Sequence, residues 1–66
     1  MKVTINGEAR EIPDGLTVAA LLDHLGMKRE LVAIERNSDI LPRAQWAETV
    51  AQPNDTFEIV HFVGGG

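Results

Sequence analysis

The sequence contains no cysteine. This absence excludes disulfide bonds, zinc sites built on thiolates and enzymes that use a thiol nucleophile. Small secreted domains usually depend on disulfides, so a cysteine-free chain of 66 residues favours the cytoplasm. The first ten residues alternate polar and apolar side chains and lack the continuous apolar core of a signal peptide. We therefore expect a cytoplasmic protein.

Basic residues and long apolar runs are also scarce. Ten acidic residues outnumber six basic ones, which gives a net charge of −4. Nucleic-acid binding is therefore not expected, because it depends on Lys and Arg that neutralise phosphates. The longest apolar runs, such as residues 18–22, are far too short to cross a membrane. The acidic balance fits docking onto a basic protein surface.

Residues that carry catalysis or bind metals form no convincing group. The two histidines, His24 and His61, are far apart in the chain, so the sequence predicts no metal site. Carboxylates such as Glu8 and Glu11 flank a predicted turn and are typical of ordinary surface charge. The sequence predicts a chain that has no active site of its own and binds no cofactor.

The first half of the chain predicts two strands and a helix. Lys2 to Ile5 alternates polar and apolar residues, and Glu8 to Ile12 is the expected returning strand. Asn6-Gly7 between them favours a type I′ hairpin turn, because both residues tolerate positive φ. Thr17 is a suitable helix N-cap and Gly26 a suitable residue just after the helix. The apolar residues between these two ends form one helical stripe, Val18, Leu21, Leu22 and Leu25.

The second half predicts three more strands and a short helix. The strands are expected at residues 31–35, 40–41 and 56–63. Residues 43–50 are expected to form a short helix that turns Trp46 and Val50 inward at i and i+4. A single main amphipathic helix must cover a single sheet, so the element order predicts a two-layer α+β domain over residues 1–63.

The last strand is the most apolar one. Glu58 is charged and is expected to face solvent, which places Val60 and Phe62 on the same outer face by alternation. The opposite face, toward the helix, then carries Phe57, Ile59 and Val63. Two outward apolar side chains next to a glycine tail indicate a docking patch. The alternative is that this strand is central and partly covered on both faces.

The sequence ends in three glycines, Gly64, Gly65 and Gly66. Glycine has no side chain and is conformationally permissive, so we expect a flexible tail over residues 64–66. Three extended residues reach about 10 Å and can thread a narrow channel. The reactive group at the end is the carboxylate of Gly66, which an ATP-dependent enzyme can activate as an acyl adenylate. The alternative is a frayed terminus without a role.

Several segments together resemble the small sulfur carrier proteins of thiamine thiazole synthesis, the ThiS-like family. The segments are Ile5-Asn6-Gly7, Thr17-Val18 before Leu21-Leu22, Val32 to Asn37, Pro42-Arg43 with Trp46, Asp55, and Glu58 to Val60 followed by Phe62 to Gly66. The resemblance covers essentially the whole chain in order, and the Glu-Arg-Asn and Pro-Arg-x-x-Trp segments make it more specific than a terminal Gly-Gly alone.

The resemblance implies a β-grasp, ubiquitin-like fold, with a mixed sheet of four to five strands on one main helix. It also implies that an E1-like adenylyltransferase activates Gly66 with ATP and magnesium, both bound by that partner. Sulfur from a cysteine desulfurase relay then forms a thiocarboxylate, and thiazole synthase accepts the sulfur. Gly64 and Gly65 are the residues that would thread the partner's active site.

Two other functions remain open at this point. The small subunit of molybdopterin synthase resembles the same fold, ends in Gly-Gly and also carries a thiocarboxylate. A ubiquitin-like interaction module that docks through Val60 and Phe62 without reacting belongs to a different functional class. The length of the chain and the Glu35-Arg36-Asn37 and Pro42-Arg43-x-x-Trp46 segments favour the thiamine carrier over the molybdopterin synthase subunit.

Overall fold

Five strands and one α-helix form the domain in the computed structural model, which describes residues 1–62. The strands are β1 (Lys2–Ile5), β2 (Glu8–Glu11), β3 (Val32–Arg36), β4 (Asp39–Ile40) and β5 (Thr56–His61). Helix α1 (Val18–His24) lies between β2 and β3 in the chain, and two 3₁₀ turns occupy Arg29–Leu31 and Arg43–Gln45.

The strands form one mixed sheet in the order β2-β1-β5-β3-β4. The first and last strands, β1 and β5, run parallel at its centre, whereas the other neighbours are antiparallel. A parallel pair needs a long crossover connection, and here α1 forms part of it and packs on one face of the sheet. This is the β-grasp arrangement, so the predicted α+β fold class is confirmed.

The β1–β2 hairpin turns at Asn6-Gly7, as the sequence predicts. Both residues have positive φ, 51° and 82°, which is the backbone conformation that a type I′ turn requires. Ile5 is therefore paired with Glu8 across the turn, and β1 directs Val3 and Ile5 into the core.

Helix α1 begins and ends at the predicted residues. The Thr17 hydroxyl accepts a hydrogen bond from the Ala20 N–H (3.1 Å), which satisfies one of the N–H groups left over in the first turn. Gly26, with φ of 73°, follows the helix, and the Met27 N–H donates to the Leu22 carbonyl (2.9 Å). That pattern is a Schellman C-cap, in which glycine accommodates the left-handed conformation.

The predicted helix over residues 43–50 is wrong. Only Arg43–Gln45 is helical, as a single 3₁₀ turn. The chain beyond it instead caps α1, because the carbonyls of Trp46 and Thr49 accept hydrogen bonds from the N–H groups of Ala19 and Val18. Trp46 is buried as predicted, but Val50 is extended and 41% exposed, so its predicted inward orientation is also wrong.

The core lies between α1 and the inner face of the sheet. Helix α1 contributes Val18, Leu21 and Leu22, while Phe57 is the largest side chain that is fully buried. The remaining buried apolar residues are Val3, Ile5, Ile12, Ala19, Val32, Ile34, Trp46, Ala51 and Ile59. Since burial is confined to this face, the other face of the sheet is left to solvent or to a partner.

Candidate functional site

Strand β5 alternates as predicted and separates core residues from surface residues. Phe57 and Ile59 are buried against the helix side, whereas Val60 and Phe62 are 60% and 53% exposed. The predicted outward orientation of Val60 and Phe62 is confirmed. Val63, predicted to face the helix, and the tail residues Gly64, Gly65 and Gly66 lie outside the described residues.

Each of the two alternatives that the sequence left open for β5 is correct in part, because the strand is central but its outer face is exposed. The strand is central, hydrogen-bonded to β1 on one side and to β3 on the other. Its outer face nevertheless carries exposed Val60, and Phe62 just beyond the strand is also exposed. Large apolar side chains at the centre of a sheet are usually covered, so the exposure of Val60 and Phe62 makes this face the candidate contact surface.

Ile40 extends the apolar surface and was not among the predicted site residues. It is 79% exposed, more than any other large apolar side chain in the described part of the chain. The registers Ala33↔Val60 and Glu35↔Ile40 bring β3, β4 and β5 together on the outer face. A shallow cavity of about 180 Å³ lies among them and includes Ala33, Ile40 and Val60 in its lining. We refer to Ala33, Ile40, Val60 and Phe62 as the outer patch.

Two carboxylates flank the outer patch. Glu35 on β3 lies directly opposite Glu58 on β5, and both line the same cavity. Like charges placed opposite each other in a sheet destabilise it. Neither carboxylate makes an ion pair with any residue of the described range 1–62. The outer patch is therefore apolar at its centre and acidic at its edge.

The side chain of Asn6 supports β5 where β1 has ended. Its Nδ2 donates to the Ile59 carbonyl (3.2 Å), and its Oδ1 accepts from the Ile59 N–H (2.7 Å). The Asn6 backbone N–H also donates to the Phe57 carbonyl (2.9 Å). The amide side chain thus replaces a strand neighbour and holds the segment that presents Val60.

Two residues of the Glu-Arg-Asn segment, Arg36 and Asn37, stabilise the fold. Arg36 Nε and Asn37 Nδ2 donate to the buried Asp55 carboxylate at 2.9 Å and 3.0 Å, and the Gln52 N–H adds a third hydrogen bond. Burial by itself raises the pKa of Asp55, but the hydrogen bonds from Gln52, Asn37 and Arg36 and the charge of Arg36 outweigh it and hold that pKa below its ordinary value. The cluster fixes the loop that leads into β5.

The Pro-Arg-x-x-Trp segment also organises the backbone. The Arg43 guanidinium lies over the Trp46 ring, 4.6 Å from its centroid, and donates to the carbonyls of Arg29 and, at 3.0 Å, Val32. Trp46 is buried, and its Nε1–H donates to the Leu41 carbonyl (2.9 Å). Arg43 therefore connects the core tryptophan to the segment that precedes β3.

The two histidines occupy separate places in the fold. His24 lies in the last turn of α1, and His61 ends β5 opposite Val32. Within residues 1–62, no three His, Asp or Glu side chains are grouped so that they could hold a metal ion. The helix of this part of the chain is too short to cross a bilayer.

Comparison with known proteins identifies the family. The model of the ThiS family matches residues 3–66. The chain belongs to the ThiS family. It is 32% identical over 66 residues to the sulfur carrier protein ThiS of Escherichia coli, with 100% of both chains covered. A crystal structure of the thiamine biosynthesis protein ThiS from Geobacter metallireducens superimposes with a TM-score of 0.86, at 32% identity and full coverage of both chains.

One relative of this chain is much longer than the chain itself. The chain is 46% identical over 66 residues to the thiazole synthase of Paramagnetospirillum magneticum. That match covers 100% of this chain but only 20% of the thiazole synthase, so the chain spans about a fifth of that relative's length. A ThiS-like segment is therefore part of at least one thiazole synthase chain.

Proposed function

We propose that the chain is a sulfur carrier of thiamine biosynthesis and that the carboxylate of Gly66 carries the sulfur. The observation that supports this most strongly is the ThiS family match, which extends through the three glycines to residue 66. The match to the E. coli sulfur carrier over its full length adds to it. In this proposal the chain is a protein substrate of partner enzymes and not itself an enzyme.

The chemistry proceeds in three steps on the partner. A carboxylate oxygen of Gly66 attacks the α-phosphorus of ATP, and pyrophosphate leaves, which gives an acyl adenylate. A persulfide from a cysteine desulfurase relay then attacks the acyl carbonyl and AMP leaves. A thiol reductant releases the thiocarboxylate from the resulting acyl disulfide. ATP and magnesium belong to the E1-like adenylyltransferase, and the proposed location is the cytoplasm, where ATP is available.

The tail and the outer patch have different tasks in this proposal. Gly64 and Gly65 carry no side chains, which allows Gly66 to enter a narrow active site. Val60, Phe62 and Ile40 dock on the adenylyltransferase and bring the tail to that site. Glu35 and Glu58 favour a partner surface that carries Lys or Arg around an apolar centre.

Thiazole synthase is the proposed acceptor of the sulfur. This proposal is supported by the thiazole synthase of P. magneticum, whose chain contains a segment 46% identical to this protein. A carrier and its acceptor that occur in one polypeptide meet at high effective concentration. This relationship favours the thiamine route over the molybdopterin route.

Complementation of two auxotrophs tests the proposal. Expressed in a strain that lacks its own thiazole sulfur carrier, the chain should restore growth without thiamine. It should not restore molybdenum cofactor synthesis in a strain that lacks the small subunit of molybdopterin synthase. The variant without Gly65 and Gly66 should fail in the first strain at equal protein level. Rescue by the shortened variant would show that Gly66 does not carry the sulfur and would contradict the proposal.

A further inference from the structure

The end of β5 is anchored by one backbone hydrogen bond. The Phe62 N–H donates to the Leu31 carbonyl at 2.7 Å, just after the Val32↔His61 pair closes the β3–β5 ladder. Phe62 is the last residue that the structure describes. Leu31 therefore holds the last residue that the structure describes.

Leu31 lies in a segment that the core does not hold. It belongs to the 3₁₀ turn Arg29–Leu31, in which no side chain is buried and no side chain caps the first turn. Arg29 pairs with Asp23 on α1 (2.7 Å), but that ion pair is solvent-exposed, and such pairs stabilise a structure weakly. The buried Val32 holds the chain just after Leu31, so further support of this turn must act on the side of Arg29.

Arg43 supplies that support. Its guanidinium donates to the carbonyls of Arg29 and Val32, which lie on either side of Leu31 in the chain. The guanidinium is itself held against the buried ring of Trp46. A planar fork that bonds two carbonyls and stacks on an aromatic ring is a geometry that the point charge of Lys does not reproduce.

We propose that Arg43 is a positioning residue that sets where the glycine tail leaves the domain. Arg43 acts through Leu31 and Phe62 and is not a catalytic residue. The inference rests on the proposed function, since it assigns a role in delivering the Gly66 carboxylate to the adenylyltransferase. A reaction is faster when the reacting group is held in the correct position. If the Leu31 segment is loosened, the Gly66 carboxylate is positioned less well, and the rate of reaction in the docked complex falls. Arg43 lies on the helix side of the sheet, beside Ala19 and Ala47, so docking through the outer patch is unaffected.

The test separates delivery from docking with two variants and a matched control. Single-turnover pyrophosphate release is measured with the adenylyltransferase of the same organism at varied carrier concentration. Arg43→Ala should lower the saturating rate about tenfold while the half-saturating concentration stays within about twofold. Arg43→Lys should fall between Arg43→Ala and the wild type. Arg10→Ala removes the same charge from the exposed strand β2 and should match the wild type.

Amide hydrogen exchange gives a readout that does not depend on the reaction. In Arg43→Ala, the Phe62 amide should exchange faster, whereas the Thr4 and Asn6 amides, which donate to the Asp55 and Phe57 carbonyls, should keep wild-type protection if the fold is intact. An unchanged Phe62 amide in either Arg43 variant, or an unchanged saturating rate, would overturn the inference. If the wild-type chain itself releases no pyrophosphate, the proposed function fails, and the exchange result still decides whether Arg43 holds Phe62.

Discussion

The side-chain amide of Asn6 forms two hydrogen bonds with the backbone of Ile59, a residue 53 positions away in the chain. Asn6 belongs to the hairpin turn, and Ile59 belongs to the strand that presents the outer patch and leads to the tail. One residue thus has two roles, because its positive φ forms the turn and its amide completes the hydrogen bonding of β5. This contact couples the hairpin to the strand that carries the outer patch.

Replacement of Asn6 by Gly should destabilise the protein. Glycine keeps the positive φ but removes both side-chain hydrogen bonds, so the free energy of unfolding should fall by about 1–3 kcal/mol in urea titrations. Asn54→Gly is the matched control, since Asn54 also has positive φ and its side chain makes no hydrogen bond within residues 1–62. Equal effects of the two substitutions would show that the amide contact contributes nothing.

Asp55 should make the free energy of unfolding depend on pH in the acid range. Its pKa is lowered in the folded protein, so its contribution is complete above the pKa of an unfolded Asp, about 3.9, and is lost as the pH falls through the folded value. Asp55→Asn should lower the free energy of unfolding at neutral pH by about 1–3 kcal/mol, because the carboxylate bonds to Arg36, Asn37 and Gln52 are weakened. The variant should also lose less stability than the wild type between neutral and acid pH.

The control for this experiment is Asp39→Asn, on the exposed strand β4. It should follow the wild-type dependence on pH. If Asp55→Asn loses stability toward acid as steeply as the wild type, the carboxyl of Asp55 is not the group responsible.

The apolar centre of the outer patch should contribute to docking without supporting the fold. Val60→Ser and Ile40→Ser each remove exposed apolar surface, so the affinity for the adenylyltransferase should fall roughly tenfold in calorimetric titrations. Stability should change by less than about 0.5 kcal/mol. Val50→Ser is the matched control, because Val50 is exposed beside the start of α1. Loss of affinity in Val50→Ser as well would show that the measured surface is not the outer patch.

The acidic edge of the patch should make docking sensitive to salt. The double substitution of Glu35 and Glu58 by Gln should weaken binding roughly tenfold at low salt and flatten its salt dependence. It should also raise the free energy of unfolding slightly, since the two carboxylates face each other across β3 and β5. The double substitution of Glu8 and Glu48 by Gln changes the net charge equally away from the patch and should bind like the wild type.

Local patterns predicted those parts of the fold that depend on neighbours in the chain. Alternation along β5 predicted the exposure of Val60 and Phe62, and Asn6-Gly7 predicted the hairpin. The exposure of Ile40 was not predicted, because it depends on the register between β3, β4 and β5. The contacts of Asn6 with Ile59 and of Arg43 with the Val32 carbonyl were missed for the same reason.

The wrong prediction of a helix over residues 43–50 has a similar cause. Spacing alone favoured a helix, but the carbonyls of Trp46 and Thr49 have partners on α1 that a local pattern does not include. The N–H groups of Glu48 and Thr49 still donate to the Gln45 carbonyl, but the carbonyls that would continue a helix bond to α1 instead, so no regular helix forms. The resemblance identified the Glu-Arg-Asn segment, but only the structure shows its role, which is to donate hydrogen bonds from Arg36 and Asn37 to the buried carboxylate of Asp55.

The intact mass of the protein shows directly whether Gly66 receives sulfur. The purified chain is incubated with the adenylyltransferase, ATP, magnesium, a cysteine desulfurase with cysteine, and a thiol reductant. The adenylyltransferase is shown to be active on the E. coli carrier beforehand. If Gly66 carries the sulfur, the mass should rise by the difference between sulfur and oxygen, and this gain should be located on Gly66 by fragmentation and be absent without ATP. An unchanged mass in the presence of that active partner would contradict the proposal that Gly66 carries the sulfur.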